Sequence, residues 1–390
     1  MTQHFTYSAP GRTEISGNHT DHQHGCVLAA AVNLETVANV TLAQENAITV
    51  FSEGYPSFSI DLDDLQVHPE EKNTTIALVR GVAAGFAQRG AVLHGFQMKA
   101  HSSVLPGSGL SSSAAFEVLV GTIINDLFCD GKFTPVEIAQ IAQYAENVYF
   151  GKPCGLMDQM ASSVGGLVFI DFANPAEPVV EQIDFADKDH PDIRPVNFDF
   201  SSTGHALCII DSGADHADLT DEYGAIPGEL AQICRWFGKK TLRQVPQKDF
   251  LDAIPDLRGS IPDRAILRAI HVYQENERVR KQMQALKDDD FSTFLRLVTE
   301  SGKSSWTYLQ NICPAGETDL QPVAVALAMC DTLLQGKGAY RVHGGGFAGT
   351  IQAFVPFDML EDFKQNIEAV LGMDSCHVLS IRPEGGIRLE

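Results

Sequence analysis

The chain has 390 residues, of which 44% are apolar and 20% are charged, as in soluble globular proteins large enough for two domains. Its formal net charge of −22 argues against nucleic acid and anionic membrane surfaces as partners. The eight cysteines are scattered without a Cys-x-x-Cys pair, so we expect reduced thiols in a cytoplasmic protein and neither a disulfide framework nor a zinc site. The N-terminus lacks a basic region followed by an apolar run, and no apolar stretch approaches membrane-spanning length. We therefore expect neither a signal peptide nor a membrane span.

The first half of the chain carries patterns for both strands and helices. A stretch rich in Ala, Val, Ile and Leu with interleaved Thr predicts paired strands over 27–50. Helical spacing of apolar residues over 76–86 is followed by a strand pattern over 92–100. A nearly continuous apolar run predicts a buried helix over 114–128, and a Thr-Pro-Val-Glu capping pattern begins a second predicted helix over 134–150.

The second half begins after a polar, proline-bearing stretch, 187–199, which is the predicted linker between domains at 1–197 and 198–390. Beyond it, the patterns predict a strand at 205–211, helices to about residue 297, a helix at 323–334, a strand at 350–355, a helix at 357–371 and a final strand. Because helices and strands are mixed without strict alternation, an α+β fold is favoured over a doubly wound α/β fold.

A loop with two glycines and several hydroxyl residues, 106–115, leads directly into the predicted buried helix. Glycine lets the backbone approach a ligand closely. The start of a helix presents unpaired N–H groups and the positive end of its dipole, which suits an anion such as phosphate. An ordinary serine-capped helix after a glycine turn would leave the same pattern. The loop by itself leaves both interpretations open.

Two further glycine patterns do not support the chemistry that their letters suggest. Residues 301–304 resemble the end of a P-loop, but Leu297 occupies the position of the required earlier glycine. Residues 344–349 match the dinucleotide fingerprint as a string, yet they run into a strand pattern and not into a helix. We reject both interpretations.

A histidine-rich loop could suggest a metal site. It contains His19, His22 and His24 together with Asp21. Zinc sites need well-placed ligands and supporting hydrogen bonds, which spacing alone does not establish. A polar loop that contacts a polar ligand or water is the favoured interpretation.

One carboxylate stands out because it lies within a largely apolar stretch. A buried Asp158 is costly unless it is paired or used in chemistry, although an acid at a helix N-terminus would also be stabilised there. Arg12 follows Pro10 and Gly11, which fix the backbone, and is its expected cationic partner. The alternative for Arg12 is an ordinary surface arginine.

Four segments, taken in chain order, each carry a recognisable motif. Residues 11–21 read Gly-Arg-Thr-Glu-Ile-Ser-Gly-Asn-His-Thr-Asp, and residues 107–114 read Gly-Ser-Gly-Leu-Ser-Ser-Ser-Ala. Residues 153–159 read Pro-Cys-Gly-Leu-Met-Asp-Gln, and residues 341–349 contain a glycine run followed by Phe-Ala-Gly. Together they resemble the signature, the ATP loop, the aspartate segment and the third glycine motif of the galactokinases of the GHMP kinase family. The resemblance covers nearly the whole chain.

The resemblance implies a two-domain α+β GHMP kinase fold. Its N-terminal domain would be ribosomal protein S5 domain 2-like, its C-terminal domain a ferredoxin-like α/β domain, and the active site would lie in the cleft between them. It also implies transfer of a phosphoryl group from ATP to the anomeric C1 hydroxyl of D-galactose, with ATP and Mg²⁺ as cofactors. The expected partners are a small-molecule sugar and ATP, and the oligomeric state is left open, with a monomer as one alternative.

The resemblance further implies roles for individual residues. Asp158 would accept or orient the proton of the C1 hydroxyl, and Arg12 would keep Asp158 ionised and stabilise charge on the transferring group. Glu146 would bind Mg²⁺ together with a hydroxyl of the serine loop, assigned to Ser113. The ATP phosphates would be held by Gly107, Ser108, Gly109, Leu110, Ser111, Ser112, Ser113 and Ala114.

The sugar would be contacted by Asn18, His19, Asp21, the backbone of Gly155, and Tyr223. Three residues depart from the family pattern: Asn18 stands in place of the usual Glu, His22 in place of Tyr, and Glu14 in place of Asn. The aromatic residues that often flank adenine are also absent around 75–81. The departure at Asn18 keeps open a sugar-1-kinase for another hexose or uronic acid (N-acetylgalactosamine, galacturonate). A separate alternative is a non-catalytic galactose-sensing regulator. A regulator would be expected to lose Arg12, Asp158 or Glu146, and all three are present.

Overall fold

The computed structural model describes residues 4–104, 109–152, 154–185, 196–197, 199–213, 219–347 and 349–390. The strands in this part of the chain are β1 (His4–Ser16), β2 (Cys26–Leu42), β3 (Ala47–Ser52), β4 (Phe58–Asp61), β5 (Phe96–Ser102), β6 (Leu167–Asp171), β7 (Val179–Gln182), β8 (Asp184–Phe185), β9 (Val196–Asn197), β10 (His205–Asp211), β11 (Ala339–Val342), β12 (Thr350–Pro356), β13 (Cys376–Leu379) and β14 (Ile387–Arg388). The α-helices are α1 (Thr75–Gln88), α2 (Ser112–Cys129), α3 (Pro135–Tyr144), α4 (Met157–Val164), α5 (Thr220–Trp236), α6 (Gln247–Leu257), α7 (Asp263–Lys287), α8 (Phe291–Ser304), α9 (Pro322–Leu334) and α10 (Leu360–Leu371).

The larger sheet is built almost entirely from the first half of the chain. Its strand order is β14-β1-β2-β5-β3-β4, and β6 and β7 extend it from β2. Helices α1 to α4 pack against one another, and α2 also lies on β1 and β2. Fully buried side chains such as Val40, Phe86, Phe96, Leu119 and Ile123 fill the space between sheet and helices. This layer supports the loop that precedes α2.

Helix α2 confirms the predicted buried helix and is the centre of this layer. Within the described residues it is the one helix long and apolar enough to cross a bilayer, and 67% of its apolar window is buried inside the fold. A helix that is apolar all round can be satisfied by a protein core on every side. It packs here as a core helix.

The smaller sheet belongs to the second half, with strand order β11-β12-β10-β13 and antiparallel pairing throughout. Helices α9 and α10 pack on this sheet, while α7 contacts β2 and α8 contacts β11. A shared core joins both halves, because Leu28 and Leu110 pack in one cluster with Leu207, Val279 and Phe354. The fold is α+β, as predicted.

The last strand returns to the first sheet. β14 pairs antiparallel with β1, with Tyr7 opposite Arg388 and Ser8 opposite Ile387. The predicted division at residues 197 and 198 otherwise follows sheet membership, and these boundaries stay a prediction. Most of the predicted linker, 187–199, lies outside the described residues.

Two sequence predictions for local structure need comment. The capping box is present, because the Thr134 hydroxyl accepts the Glu137 N–H and the Glu137 carboxylate accepts the Thr134 N–H. Strands β2 and β3 occupy the region predicted over 27–50, but the expectation that they pair with each other is wrong. Strand β5 lies between them, antiparallel to β2 and parallel to β3. A parallel partner needs a crossover connection, which β4 and α1 supply here.

The helix predicted over 134–150 changes character halfway. It is α-helical as α3 and then continues as one π-helical turn, Ala145–Phe150. Such turns are rare and occur often at functional sites. This turn carries Glu146.

Candidate active site

An ion pair joins β1 to the first turn of α4. Arg12 Nε lies 2.7 Å from Asp158 Oδ1 and Arg12 Nη2 lies 2.6 Å from Asp158 Oδ2, a two-point contact. The remaining Arg12 nitrogen, Nη1, donates to the carbonyl of Gly109, and the Ser111 hydroxyl donates to Asp158 Oδ2 at 2.8 Å. The predicted pairing of Arg12 with Asp158 is therefore confirmed, and it also holds the serine loop.

The environment of Asp158 keeps this carboxylate charged. Burial alone would raise the pKa of Asp158, but the charge and hydrogen bonds of Arg12 and the hydroxyl of Ser111 together outweigh burial and lower it. The Arg12 side chain is 8% exposed, whereas that of Asp158 keeps 29%. The ionised Asp158 carboxylate thus remains accessible to a ligand, while its cationic partner Arg12 is nearly buried.

The serine loop is described from Gly109 onward, and the predicted phosphate contacts Gly107 and Ser108 lie outside the described residues. Gly109 has φ of +70°, and a Cβ there would come within 3.1 Å of His343 Nδ1. Leu110 is buried, and its carbonyl accepts the Arg12 backbone N–H at 2.9 Å. The loop is thereby fixed against β1 and against the third glycine motif.

The start of α2 is not an ordinary serine cap. Ser111 occupies the N-cap position in a left-handed conformation, with φ of +57°, and makes no side-chain cap hydrogen bond. Its hydroxyl is used on Asp158 instead. Ser112, Ser113 and Ala114 form the first turn, where backbone N–H groups and the helix dipole favour an anion. The structure thus favours the anion-site interpretation over the simple cap.

The π turn places Glu146 in a buried carboxylate cluster. Glu146 is 3% exposed, and its Oε2 accepts the Gln159 amide N–H at 2.7 Å and the Cys154 thiol at 3.2 Å. The same Gln159 nitrogen donates to Glu117 Oε2 at 3.1 Å. Burial, followed by the charge of Glu146, raises the pKa of Glu117 well above its usual value. Glu117 and Gln159 were not predicted from the sequence, because a lone Glu in an apolar helix carries no pattern of its own.

The donor set around Glu146 suits Mg²⁺ as a cofactor shared with phosphates. Among the residues that the structure describes, no group of three or more His, Cys, Asp or Glu side chains could hold a metal by itself. Mg²⁺ often takes one or two protein oxygens and fills its other positions with phosphates and water. Glu146 Oε1 and the Ser113 hydroxyl would be the protein ligands. Lys152 Nζ lies 3.5 Å from this Glu146 oxygen.

A cavity of about 420 Å³ lies beside this centre. Its lining includes four of the five residues predicted to contact a sugar, namely His19, Asp21, Gly155 and Tyr223. Burial raises the pKa of Asp21, and the charge of Asp158 adds to this, although the His22 backbone N–H acts in the opposite direction. Residues that are distant in sequence therefore meet around one space of the size of a small ligand.

Two close contacts explain why glycine stands at positions 155 and 345. A Cβ at Gly155 would lie 1.7 Å from Asp21 Oδ2, so any side chain there would displace the carboxylate. A Cβ at Gly345 would lie 2.5 Å from the Tyr223 ring, and the Tyr223 hydroxyl donates to the carbonyl of Gly346 at 2.9 Å. The third glycine motif therefore supports Tyr223, which lines the cavity, from behind.

Asn18, the fifth predicted sugar contact, is placed differently. It is fully buried and does not line the cavity. Its amide nitrogen donates to the Gly344 carbonyl and, at 3.3 Å, to Glu14 Oε1, while its oxygen accepts from Asn311 Nδ2 at 2.8 Å and from the Ser305 hydroxyl at 3.3 Å. Direct contact with a sugar in this cavity would require the amide to leave all four partners.

The neighbours of Asn18 form a buried polar connection that sequence reasoning missed. Glu14 pairs with Arg341, whose side chain is fully buried. Burial raises the pKa of Glu14 in spite of the opposing Arg341 charge. Asn311 donates to both Asn18 Oδ1 and the Gly345 carbonyl, at 2.8 and 3.1 Å. An isolated Asn in a loop gives no sequence signal for such a role, whereas Glu14 did mark a departure from the family pattern.

Comparisons with known proteins agree with this arrangement. The family model for the galactokinase galactose-binding signature matches residues 2–42, and the model for the N-terminal domain of GHMP kinases matches residues 77–166. A curated galactokinase from Lacticaseibacillus paracasei is 30% identical over 372 residues, covering 93% of this chain and 88% of the relative. A galactokinase from Streptomyces coelicolor is 29% identical over 388 residues, covering 98% and 93%.

Solved structures show the same fold. The crystal structure of Lactococcus lactis galactokinase complexed with galactose superposes with a TM-score of 0.78 at 23% identity, covering 99% of this chain and 95% of that one. A D-glycero-D-manno-heptose 1-phosphate kinase gives a TM-score of 0.65 at 15% identity, covering 99% and 98%. The predicted two-domain GHMP kinase fold is confirmed.

Proposed function

This chain belongs to the galactokinase family of GHMP kinases, and on that basis we propose that it transfers the γ-phosphoryl group of ATP to the C1 hydroxyl of D-galactose, giving galactose 1-phosphate. The observation that carries the proposal is the Arg12–Asp158 pair. It lies in contact with the serine loop, through Gly109 and Ser111, and close to the cavity lined by Asp21. A phosphoryl acceptor and a phosphoryl donor would meet at this pair.

Asp158 is suited to the acceptor side of the reaction. Its lowered pKa keeps it ionised at neutral pH, so it would accept a hydrogen bond from the C1 hydroxyl and orient that oxygen toward the phosphorus. Phosphoryl transfer has a loose transition state, so a weakly basic carboxylate is adequate and takes the proton as the new bond forms. Arg12 would stabilise charge on the transferring group while fixing the position of Asp158.

The donor side would be formed by the serine loop and the start of α2. The backbone of Gly107 to Ala114 would hold the ATP phosphates on N–H groups, with the helix dipole adding favourable charge. When bound, Mg²⁺ would neutralise phosphate charge, and Glu146 and Ser113 are the residues that would hold it. This local positive potential is needed because the chain as a whole carries a charge of −22.

The sugar would occupy the cavity beside Asp158. Asp21 and the Tyr223 hydroxyl would contact sugar hydroxyls, and Gly155 would let the sugar approach the backbone. His19 lines the same space, whereas Asn18 lies behind it. We propose a cytoplasmic enzyme with the sugar and ATP as its partners, and with neither nucleic acid nor a membrane involved.

A coupled ADP-release assay tests the function. The purified protein would be supplied with ATP, Mg²⁺ and, in turn, galactose, N-acetylgalactosamine, galacturonate, arabinose and glucose. We expect the highest kcat/KM with galactose. Turnover of another sugar in preference to galactose would overturn the proposal that galactose is the substrate. Tight galactose binding by calorimetry without turnover of any sugar would overturn the proposed kinase activity and indicate a non-catalytic regulator.

A further inference from the structure

Two imidazole rings in the wall of the sugar cavity are joined in series by hydrogen bonds. His19 Nε2 lies 3.0 Å from the carbonyl oxygen of Gly345, and His19 Nδ1 lies 3.3 Å from His22 Nε2. His22 Nδ1 lies 3.1 Å from the Gln23 amide nitrogen. The two rings meet edge to face, with centroids 5.5 Å apart and planes at 68°. Every ring nitrogen of the pair therefore faces a polar partner.

The positions of the protons follow from the partners. A carbonyl oxygen can only accept, so His19 Nε2 carries a proton and donates to Gly345. In a neutral ring the other nitrogen, Nδ1, is then bare and accepts from His22 Nε2–H. By the same argument, His22 Nδ1 is bare and accepts from the Gln23 amide. Each ring has one tautomer, and the donors all point toward Gly345.

Burial supports neutral rings at both positions. Burial and then the neighbouring His22 lower the pKa of His19 to about 3, against smaller opposing contributions from the Gly345 carbonyl and Asp21. Burial lowers the pKa of His22 to about 4. The geometry and the charge state thus agree on the same proton arrangement.

Both ends of the series are anchored in the second half of the chain. The Gln23 side-chain oxygen accepts the backbone N–H of Leu242 at 3.1 Å, which fixes the direction of its amide. At the other end, the Gly345 carbonyl also accepts from Asn311 at 3.1 Å. The loop that carries Asp21 is therefore held at two points by residues of the C-terminal half.

We propose that His22 is a positioning residue that fixes His19 in its Nε2–H tautomer and so locks the Asp21 loop against the third glycine motif. With both nitrogens of His19 engaged within the protein, hydrogen bonds to the sugar fall to Asp21 and to the Tyr223 oxygen, which can still accept while its proton is donated to Gly346. His19 shapes the cavity wall by contact. The part of this proposal that concerns galactose rests on the proposed function, whereas the proton arrangement does not.

Nuclear magnetic resonance of the free protein tests the proton arrangement directly. Two-bond ¹H–¹⁵N correlations of histidine-labelled protein distinguish the two neutral tautomers from the charged ring. We expect His19 and His22, assigned by their loss in His19→Gln and His22→Gln proteins, to show only the Nε2–H form at neutral pH. A protonated Nδ1 or a charged ring at His19 would overturn the proposal, even if every His22 variant failed to fold.

Kinetics of matched variants test the consequence for the sugar. His22→Phe removes the donor to His19, so we expect the KM for galactose to rise about five- to tenfold, the equivalent of one hydrogen bond, with kcat nearly unchanged. His22→Gln keeps an N–H near the Nε2 position and should restore most of the loss. His24→Asn, in the same loop but outside the series, should leave the His19 tautomer unchanged.

The outcomes separate this proposal from the proposed function. Equal KM values for the Phe and Gln variants would overturn the positioning role of His22. A protein with the expected tautomers but no galactose phosphorylation would overturn the proposed function and leave the proton arrangement standing.

Discussion

The two sides of the candidate active site are built by different physical means. The side that we propose for the phosphates, called the phosphate side, consists of Gly109, Ser111, Arg12 and Asp158. It is charged, and all of it comes from the first half of the chain. The sugar side is defined by His19, Asp21, Gly155 and Tyr223. Burial lowers the pKa of His19 and raises that of Tyr223, which favours neutral rings, and both side chains contact backbone carbonyls of the third glycine motif in the second half. In the proposed reaction, charge would thus be stabilised within one half, whereas recognition of the acceptor would depend on how the two halves pack together.

The difference predicts which property each substitution changes. Variants on the phosphate side should act mainly on kcat, because phosphoryl transfer depends on positioned charge. Variants on the sugar side should act mainly on KM, because they alter the fit of the cavity. Four substitutions, from the largest expected effect to the smallest, can break or sharpen this comparison.

Asp158→Asn should have the largest effect. The amide cannot accept the sugar proton, so we expect kcat to fall by about 10³-fold while galactose binding measured by calorimetry is retained. Asp252→Asn, an exposed Asp whose side chain is 65% accessible, is the matched control and should leave kcat unchanged. Near-wild-type kcat in Asp158→Asn would show that another group takes the proton.

Arg12→Lys should come next. Lysine keeps the charge but not the two-point contact with Asp158 or the bond to Gly109, so we expect kcat to fall by about 10²-fold. The pH dependence gives the second measurement. Arg12 helps to keep the pKa of Asp158 low, so its replacement should raise that pKa, and activity should be lost at a higher pH as the solution is acidified. If kcat/KM of the Arg12→Lys variant fell at the same acidic pH as that of the wild-type protein, this account would be contradicted.

Gly155→Ala tests the sugar side. The new Cβ would lie 1.7 Å from Asp21 Oδ2, so the carboxylate must move. We expect the KM for galactose to rise about tenfold, with a smaller change in kcat, in steady-state assays. Gly228→Ala adds the same methyl group in α5 with no heavy atom within 4 Å, and should keep the wild-type KM. A fall in kcat alone for Gly155→Ala would erase the distinction between the two sides.

Glu117→Gln should have the smallest effect. Burial and the charge of Glu146 raise the pKa of Glu117, which favours its neutral, protonated form, and glutamine copies the shape of that form. We expect the thermal unfolding midpoint to stay near that of the wild-type protein. Glu117→Ala leaves a cavity and removes an acceptor of Gln159, and should lose about 2–3 kcal/mol of unfolding free energy. Strong destabilisation by Glu117→Gln would indicate an ionised carboxylate.

Much of the fold and of the phosphate side could be predicted from the sequence, because both leave local signals. The apolar run of α2 and the capping box at Thr134 are patterns within a few residues. Arg12 and Asp158 stood out through burial cost and resemblance. The partner of β3 could not be predicted, since strand patterns do not specify which strand lies alongside.

The sugar side was less predictable because its contacts join residues hundreds of positions apart. Asn18 was expected in the cavity, but Asn311 and Gly344 hold it behind the wall. No local pattern marks Asn311, and no spacing rule joins His19 to Gly345. Hydrogen bonds of this kind exist only after the halves have packed together.

The pairing of β14 with β1 has a consequence for how the chain folds during its synthesis. Strand β1 carries Arg12 and is synthesised before β14, which pairs with Tyr7 and Ser8 on its outer edge. Until translation reaches Ile387 and Arg388, that edge exposes unpaired backbone groups on the ribosome. We therefore expect a nascent chain stalled before residue 387 to depend on chaperones more than a chain that includes β14.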